Sequence, residues 1–254
     1  MLNIDIIPCL SDNYSYVIHD DSANTVGVVD PSEFTKIDNF ISKKYKKIDY
    51  ILNTHHHYDH VGGNFDLQKK YNSKIVGSKL DEEKILNINI LLKNNDFFKF
   101  GLTTFKIIHL PGHTRGHIAF YSVNDKIIFT GDTLFSLGCG KIFEGTYKEM
   151  FSSINKIKNL PADTKIYCGH EYTKKNAEFC LVYEKENKHL QKKISWINNM
   201  LTKGLPTIPF ILEEEIKTNI FLRCNNIAIK NYLGMSHASE EEIFEKLRYL
   251  KDNF

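Results

Sequence analysis

The 254-residue chain is 42% hydrophobic and 25% charged, and its 33 basic residues balance 31 acidic ones to a formal net charge of +2. This mixture excludes a disordered or fibrous chain and a disulfide-stapled miniprotein, and leaves room for one large domain with a smaller one beside it. The near-neutral balance calls for neither a nucleic acid nor an anionic membrane as partner, and no apolar run approaches the ~18 residues a membrane span needs.

The opening residues Met1-Leu2-Asn3-Ile4-Asp5 lack the basic and apolar regions of a signal peptide. Cys9, Cys139, Cys168, Cys180 and Cys224 form an odd set without CxxC spacing, which argues against a disulfide framework. A cytosolic protein with reduced thiols is expected.

In chain order, short apolar runs ending at turn residues predict strands at Ile4 to Ile7, Tyr16 to Ile18, Val26 to Val29 and Ile48 to Leu52. Further strands are predicted at Phe105 to Leu110, Ile118 to Val123, Ile127 to Phe129 and Lys165 to Cys168. Helices are predicted from Glu33 to Tyr45 and from Thr146 to Leu160, where Tyr147, Met150, Phe151 and Ile154 recur at three and four. After His170 the character changes to Lys/Glu/Asn-rich helical patterns through Thr173 to Lys203 and Glu240 to Lys251, with Gly204-Leu205-Pro206 and Pro209 breaking the tail between them. The reading is a mixed α/β chain whose tail is a helical appendage.

The densest chemical signal is Thr54-His55-His56-His57-Tyr58-Asp59-His60, directly after the apolar run Tyr50-Ile51-Leu52. In an extended segment side chains alternate, so His55 and His57 point one way and can share a metal, while Asp59 and His60 on the following turn can face a second. A solvated histidine-rich loop would account for an isolated pair. The same arrangement recurs, however: Ile107 to Leu110 runs into Pro111-Gly112-His113, Ile127 to Gly131 into Asp132, and Ile166 to Gly169 into His170. Loops at strand ends are where α/β scaffolds assemble sites, so these residues can converge.

The segments T-H-x-H-x-D-H, P-G-H-T, G-D-T-L-F and C-G-H-E-Y resemble the motifs of the metallo-β-lactamase superfamily. Within it, Asp12-Asn13-Tyr14, the stretch from Gly138 to Thr146 and the terminal Arg248 to Phe254 resemble the hydroxyacylglutathione hydrolase, or glyoxalase II, family over nearly the whole chain. The resemblance implies a four-layer αββα sandwich over residues 1–170 and a mostly helical substrate-binding domain over residues 171–254. It implies two divalent transition metal ions: His55, His57 and His113 on the first, Asp59, His60 and His170 on the second, and Asp132 bridging both. Imidazole and carboxylate suit zinc, iron or manganese alike, with zinc the expected ion. His56 is expected to pack or to contact groups around the ligands. His19, His109, His117, His189 and His237 are expected to be surface or structural, and Asp30 to orient a ligand.

Such a site would activate a bridging hydroxide against S-(2-hydroxyacyl)glutathione, expected S-D-lactoylglutathione, with Asp59 orienting the nucleophile and Asp132 holding both ions. The leaving thiolate is stable near neutral pH, because its parent thiol ionises at about 8.5. Glutathione's carboxylates call for fixed cations. Lys141, Arg248 and Lys251 are the candidates, the last two spaced three apart on one predicted helix face, and Tyr172 resembles a tyrosine that bonds the glutathione backbone. Phe143 stands where many family members have tyrosine, so a ring is kept and a hydroxyl lost; Ile220 replaces a common proline. Arg223 is left without a role.

The implied partner is thus a small-molecule glutathione thioester, bound by a monomer. A mononuclear iron persulfide dioxygenase is the nearest enzyme rival, but resemblance to it would not extend through the terminal segment. A nuclease would bring a basic RNA-binding surface, and a β-lactamase would carry cysteine where Asp132 stands. A non-enzymatic metal-binding module would lack some of the ligands.

Overall fold

A computed structural model describes residues 2–254 of the chain. They divide into two compact units, one through His109 together with Arg115–Gly131, the other Leu110–Thr114 with Asp132–Phe254.

The first unit contains β1 (Leu2–Cys9), β2 (Asn13–Asp20), β3 (Thr25–Val29), α1 (Phe34–Lys44), β4 (Tyr50–Leu52), α2 (Tyr58–Val61), α3 (Asn64–Tyr71), β5 (Lys74–Ser78) and β6 (Ile90–Leu92). It is completed by β7 (Phe97–Phe100), β8 (Thr103–His109), β9 (Ile118–Ser122) and β10 (Ile127–Gly131). One sheet runs β1-β2-β3-β4-β5-β6, antiparallel up to β3 and parallel beyond it. The other strands pair antiparallel in the order β10-β9-β8-β7.

Register explains why the first sheet is buried on both faces. Val17, Val28, Ile51 and Ile75 lie side by side across β2 to β5, and all four pack with Ile37 and Ile41 of α1 and Leu67 of α3. Because side chains alternate, Tyr16, Ile18 and Gly27 point to the opposite face, where an aromatic core begins. Tyr16 meets Phe129 at 5.4 Å between ring centroids, and Phe105 meets both Phe100 and Phe129 at 6.2 Å. A Cβ on Gly27 would sit 2.7 Å from Phe100 Cε2, so the sheets approach this closely because glycine stands there. Each buried phenylalanine contributes roughly 1.5–3 kcal/mol through burial. Helices, sheet and sheet thus form three successive layers within this unit.

The second unit contains β11 (Leu134–Phe135), β12 (Gly138–Cys139), α4 (Tyr147–Lys158), β13 (Lys165–Cys168), α5 (Thr173–Glu184), α6 (Lys188–Thr202), β14 (Phe210–Ile211), α7 (Leu212–Thr218), α8 (Ile227–Tyr232) and α9 (Glu240–Asp252). Capping boxes, Thr146 with Glu149 and Ser239 with Glu242, fix where α4 and α9 begin. Phe151 of α4 meets Phe244 of α9 at 5.5 Å. The helical stretch expected from Thr173 to Lys203 is two helices, because the Asn187 side chain accepts from the His189 and Leu190 amides and starts α6 anew. Outside the predicted runs lie β5, β6, β7, α2 and α3 in the first unit and β11, β12, β14, α7 and α8 in the second.

All five cysteines are buried, and no disulfide joins them among the described residues. Burial pushes all five thiols up, that of Cys180 to about 12. Among the described residues no helix is long and apolar enough to cross a membrane.

Candidate metal centre

In the first unit, β3 and β4 end side by side, and the Asp30 amide bonds the Leu52 carbonyl at 2.9 Å. Asp30 is only 2% exposed and sits at φ 48°, a left-handed conformation uncommon for a residue with a side chain. Its Oδ1 accepts from the Thr54 amide at 2.7 Å and its Oδ2 from the Thr54 hydroxyl at 2.6 Å. Oδ2 also faces His60 Nδ1 at 3.0 Å. With its hydrogen committed to Asp30, the Thr54 oxygen accepts from His55 Nδ1 at 3.1 Å. One buried carboxylate therefore orients two imidazoles, His60 directly and His55 through Thr54, and leaves each Nε2 to offer a lone pair. This is the orienting role expected of Asp30.

The His55 ring lies 4.8 Å from that of His57 and 4.2 Å from that of His60. The turn expected to carry Asp59 and His60 is the single-turn helix α2, with the His60 amide donating to the His57 carbonyl at 2.9 Å. Asp59 Oδ2 accepts from Asn13 Nδ2 at 2.9 Å, which fixes the rotation of a carboxylate that is otherwise half-exposed. His56 meets the His57 ring edge-on at 5.1 Å and reaches the fully buried Asp81, with Nδ1 and Oδ1 3.1 Å apart. His117 is fully buried and stacks on His55 at 4.9 Å with planes 20° apart. Gly131, at φ 45°, makes room for it: a Cβ there would lie 2.3 Å from Thr54 Oγ1 and 2.8 Å from His117 Nε2. His19 pairs with Asp21 and His109 with the Arg115 carbonyl, while His189 and His237 are exposed.

The second unit brings together His113, Asp132 and His170, each buried. Asp132 Oδ2 lies 3.5 Å from His113 Nε2 and 3.3 Å from His170 Nε2. His113 Nδ1 donates to the Lys141 carbonyl at 2.7 Å, which again aims Nε2 inward. Three of the candidate imidazoles, His55, His60 and His113, thus have Nδ1 engaged by oxygen, an arrangement that suits Nε2 to a divalent metal ion. The donor chemistry of both sets fits divalent metal ions.

The substrate-binding candidates also lie in this unit. Lys141 Nζ sits 5.7 Å from the centre of the Phe143 ring, and that ring meets His113 edge-on at 5.2 Å while remaining 61% exposed. Tyr172 stacks on His170 at 4.6 Å with nearly parallel planes and meets Phe135 edge-on. Arg248 is only 5% exposed: Nη1 donates to the Cys139 carbonyl at 2.7 Å, Nη2 pairs with Asp252 at 3.0 Å, and the guanidinium lies over Phe221. Lys251 is directed instead to α5, donating to the Lys175 carbonyl at 3.1 Å between the rings of Phe179 and Phe254. Burial first, then the Arg248 charge, lowers its pKa to about 8. Arg223, left without a role, forms a two-pronged ion pair with Glu184. Ile220 is fully buried in a 3-10 turn, Ile220–Leu222, without the proline.

Sequence reasoning missed Asn13, Thr54 and Asp81 as partners of these residues. For Asn13 a signal existed, since it lies in one of the segments that carry the family resemblance.

A model of the metallo-beta-lactamase superfamily matches residues 11–170, and one described as hydroxyacylglutathione hydrolase C-terminus matches residues 171–254. The hydroxyacylglutathione hydrolase of Pelagibacter ubique (strain HTCC1062) is 51% identical over 253 residues, covering all of both chains. Among solved structures, ETHE1 from Myxococcus xanthus superposes with a TM-score of 0.70 at 20% identity, covering 98% of this chain and 91% of that one. TTHA1623 in a di-iron-bound form superposes with a TM-score of 0.54 at 25% identity, covering 62% of this chain and 87% of that one. The fold is therefore that of the metallo-β-lactamases, and with its characteristic C-terminal region matched as well, the chain belongs to the hydroxyacylglutathione hydrolase family.

Proposed function

We propose that the protein is a thioester hydrolase that cleaves S-(2-hydroxyacyl)glutathione, S-D-lactoylglutathione in the first place, to glutathione and the 2-hydroxy acid. The observation that carries this reading is likeness over the full length to a hydroxyacylglutathione hydrolase, including the C-terminal region.

The reading assigns His55, His57 and His113 to one metal ion, Asp59, His60 and His170 to a second, and Asp132 to both, with zinc as the resident ion. What supports it is that both units direct imidazole and carboxylate groups in the way such ions need, Asp30 and the Lys141 carbonyl holding the distal nitrogens. Two divalent ions held there supply a water of lowered pKa and an electrophilic clamp for the thioester carbonyl. Asn13 holds Asp59 so that its carboxylate can accept a hydrogen bond from the attacking water. Asp132, flanked by the imidazoles of His113 and His170, would offer its negative charge to both ions. No general acid is needed, since the thiol of glutathione leaves as a stable anion. Lys141 and Lys251 supply charges for the glutathione carboxylates, and Tyr172 and Phe143 supply ring surface beside His170 and His113. The reading also divides the chain at residue 170 into a catalytic part and a substrate-binding part. It takes the protein as a cytoplasmic monomer, in keeping with five thiols and no disulfide among the described residues.

The test is hydrolysis of S-D-lactoylglutathione by protein of measured metal content, run beside oxygen consumption with glutathione persulfide. Hydrolysis that is lost in chelator and restored by zinc, iron or manganese is expected, with up to two ions per chain. Oxygen consumption without hydrolysis would replace this reading with the dioxygenase.

A further inference from the structure

Asp132 and Lys141 are the two ends of one small hairpin. β11 and β12 pair Leu134 with Cys139 and Phe135 with Gly138, and the Gly140 amide extends the ladder to the Thr133 carbonyl at 3.2 Å. The stems touch so closely that a Cβ on Gly140 would lie 1.8 Å from the Asp132 carbonyl oxygen. Because the Lys141 carbonyl also holds His113, this hairpin sets a carboxylate, an imidazole and a substrate-binding cation at once.

Its turn is the wrong chemistry for a tight hairpin. The two linking residues are Ser136 and Leu137, and Leu137 adopts φ 58°, where glycine or asparagine would be the unstrained choice. A strained turn persists only where its surroundings impose it. Glu215 provides that constraint. Its carboxylate, 0% exposed, accepts from the Leu137 amide at 2.7 Å, the Ser136 hydroxyl at 3.1 Å and Asn219 Nδ2 at 2.9 Å, and pairs with the buried Lys193. Asn219 in turn donates to the Phe135 and Gly138 carbonyls at 3.2 and 3.1 Å, gripping both strands. On α7, Glu213 and Glu214 are exposed, whereas Glu215 lies between Leu212 and Thr218 on the buried stripe. A carboxylate in such a position breaks the apolar pattern of its helix, as residues serving function do.

We infer that Glu215 is a positioning residue: it holds the 134–139 hairpin in the conformation that presents Asp132, His113 and Lys141 together. The inference rests on the proposed metal-ligand roles of Asp132 and His113.

Two paired variants separate positioning from folding. Glu215→Gln with Lys193→Met removes the buried charges together and keeps an acceptor for the Leu137 amide. Glu215→Leu with Lys193→Met removes the charges and the acceptor. Folding is followed by circular dichroism, and metal affinity by competition of the zinc-loaded protein with a chelator. The Leu/Met pair is expected to lose roughly tenfold or more in zinc affinity, the scale of lost partners behind metal ligands, and to lose kcat with it. The Gln/Met pair should retain both near wild type. A folded Leu/Met pair that binds zinc as tightly as wild type and keeps its kcat overturns the inference. If that pair does not fold, Glu215→Asp decides: it keeps the ion pair but withdraws the carboxylate from Leu137, so weakened zinc retention supports positioning and unchanged retention overturns it. Wild-type protein that binds no metal would instead overturn the metal-centre reading, and this inference with it.

Discussion

The Arg248 guanidinium is bonded to the Cys139 carbonyl at 2.7 Å, so the residue that family resemblance offers to a substrate carboxylate already holds the hairpin strand leading to Lys141. Arg248 and Lys251 share a helix but not their partners. Arg248→Ala removes a charged hydrogen bond and an ion pair from a buried position, at a cost of about 1.5–3 kcal/mol, and Tm should fall by roughly 3–12 °C. Both kcat and KM should worsen, because Lys141 and Asp132 lose their support. Thermal melts with steady-state kinetics check this; a rise in KM alone, at unchanged Tm, would return Arg248 to a pure binding role.

Lys251→Ala should act on recognition alone. Its ammonium bonds a backbone carbonyl and packs between two rings, so the fold loses little. KM for the glutathione thioester should rise about tenfold with kcat unchanged, and a small thioester without glutathione should be hydrolysed as by wild type. Equal losses on both substrates would exclude a recognition role.

The lowered Lys251 pKa, about 8, gives this role a pH signature. If the charged form grips a carboxylate, kcat/KM should fall as pH rises through about 8 in the free enzyme. Lys251→Arg, charged throughout, should remove that fall. The stability effect has the opposite sign. Between the folded pKa and the ordinary lysine value the unfolded chain binds more protons, so stability rises with pH across that window. A wild-type kcat/KM flat from pH 7 to 9 would contradict the assignment.

Asp30→Asn isolates the electrostatic part of ligand orientation, because asparagine tolerates the left-handed backbone at this position. The amide can still accept from one Thr54 donor, but its NH2 then faces His60 Nδ1 or the Thr54 hydroxyl. Zinc affinity should drop roughly ten- to a hundredfold while the fold persists. Chelator competition reads the drop, and unchanged affinity would show that His55 and His60 need no such partner.

Phe143→Tyr restores the hydroxyl that many family members carry beside Lys141. The ring is exposed and already meets His113 in a T-shaped contact, so the added group costs no packing. KM for the glutathione thioester should fall several-fold, up to about tenfold, with kcat unchanged. An unaltered KM would mean that this substrate is held without a bond at that position.

The strands that were legible in the sequence are those whose apolar runs are bounded by turn residues, such as Lys165–Cys168, found with the bounds predicted. β6 has three residues and is a strand only because Val76, Gly77 and Ser78 pair with it, a relationship no local pattern records. Helix α3 buries only Asn64 and Leu67, too thin a stripe to reveal a period. The metal-ligand candidates could be read because each follows a strand end. Asp81 could not, since its bond to His56, 25 residues away in the chain, leaves no periodicity. Glu215 was hidden for a further reason: in Leu212-Glu213-Glu214-Glu215-Ile216-Lys217 it looks like one more solvated acid.

The buried thiols have a practical consequence for the bench. Disulfide dyes report thiolates, and none of the five cysteines of the native chain is both accessible and readily ionised. Such a dye can therefore be present during turnover, where its colour counts released glutathione against a silent protein background. In denaturant the same dye becomes an unfolding probe, each chain then developing colour from five thiols.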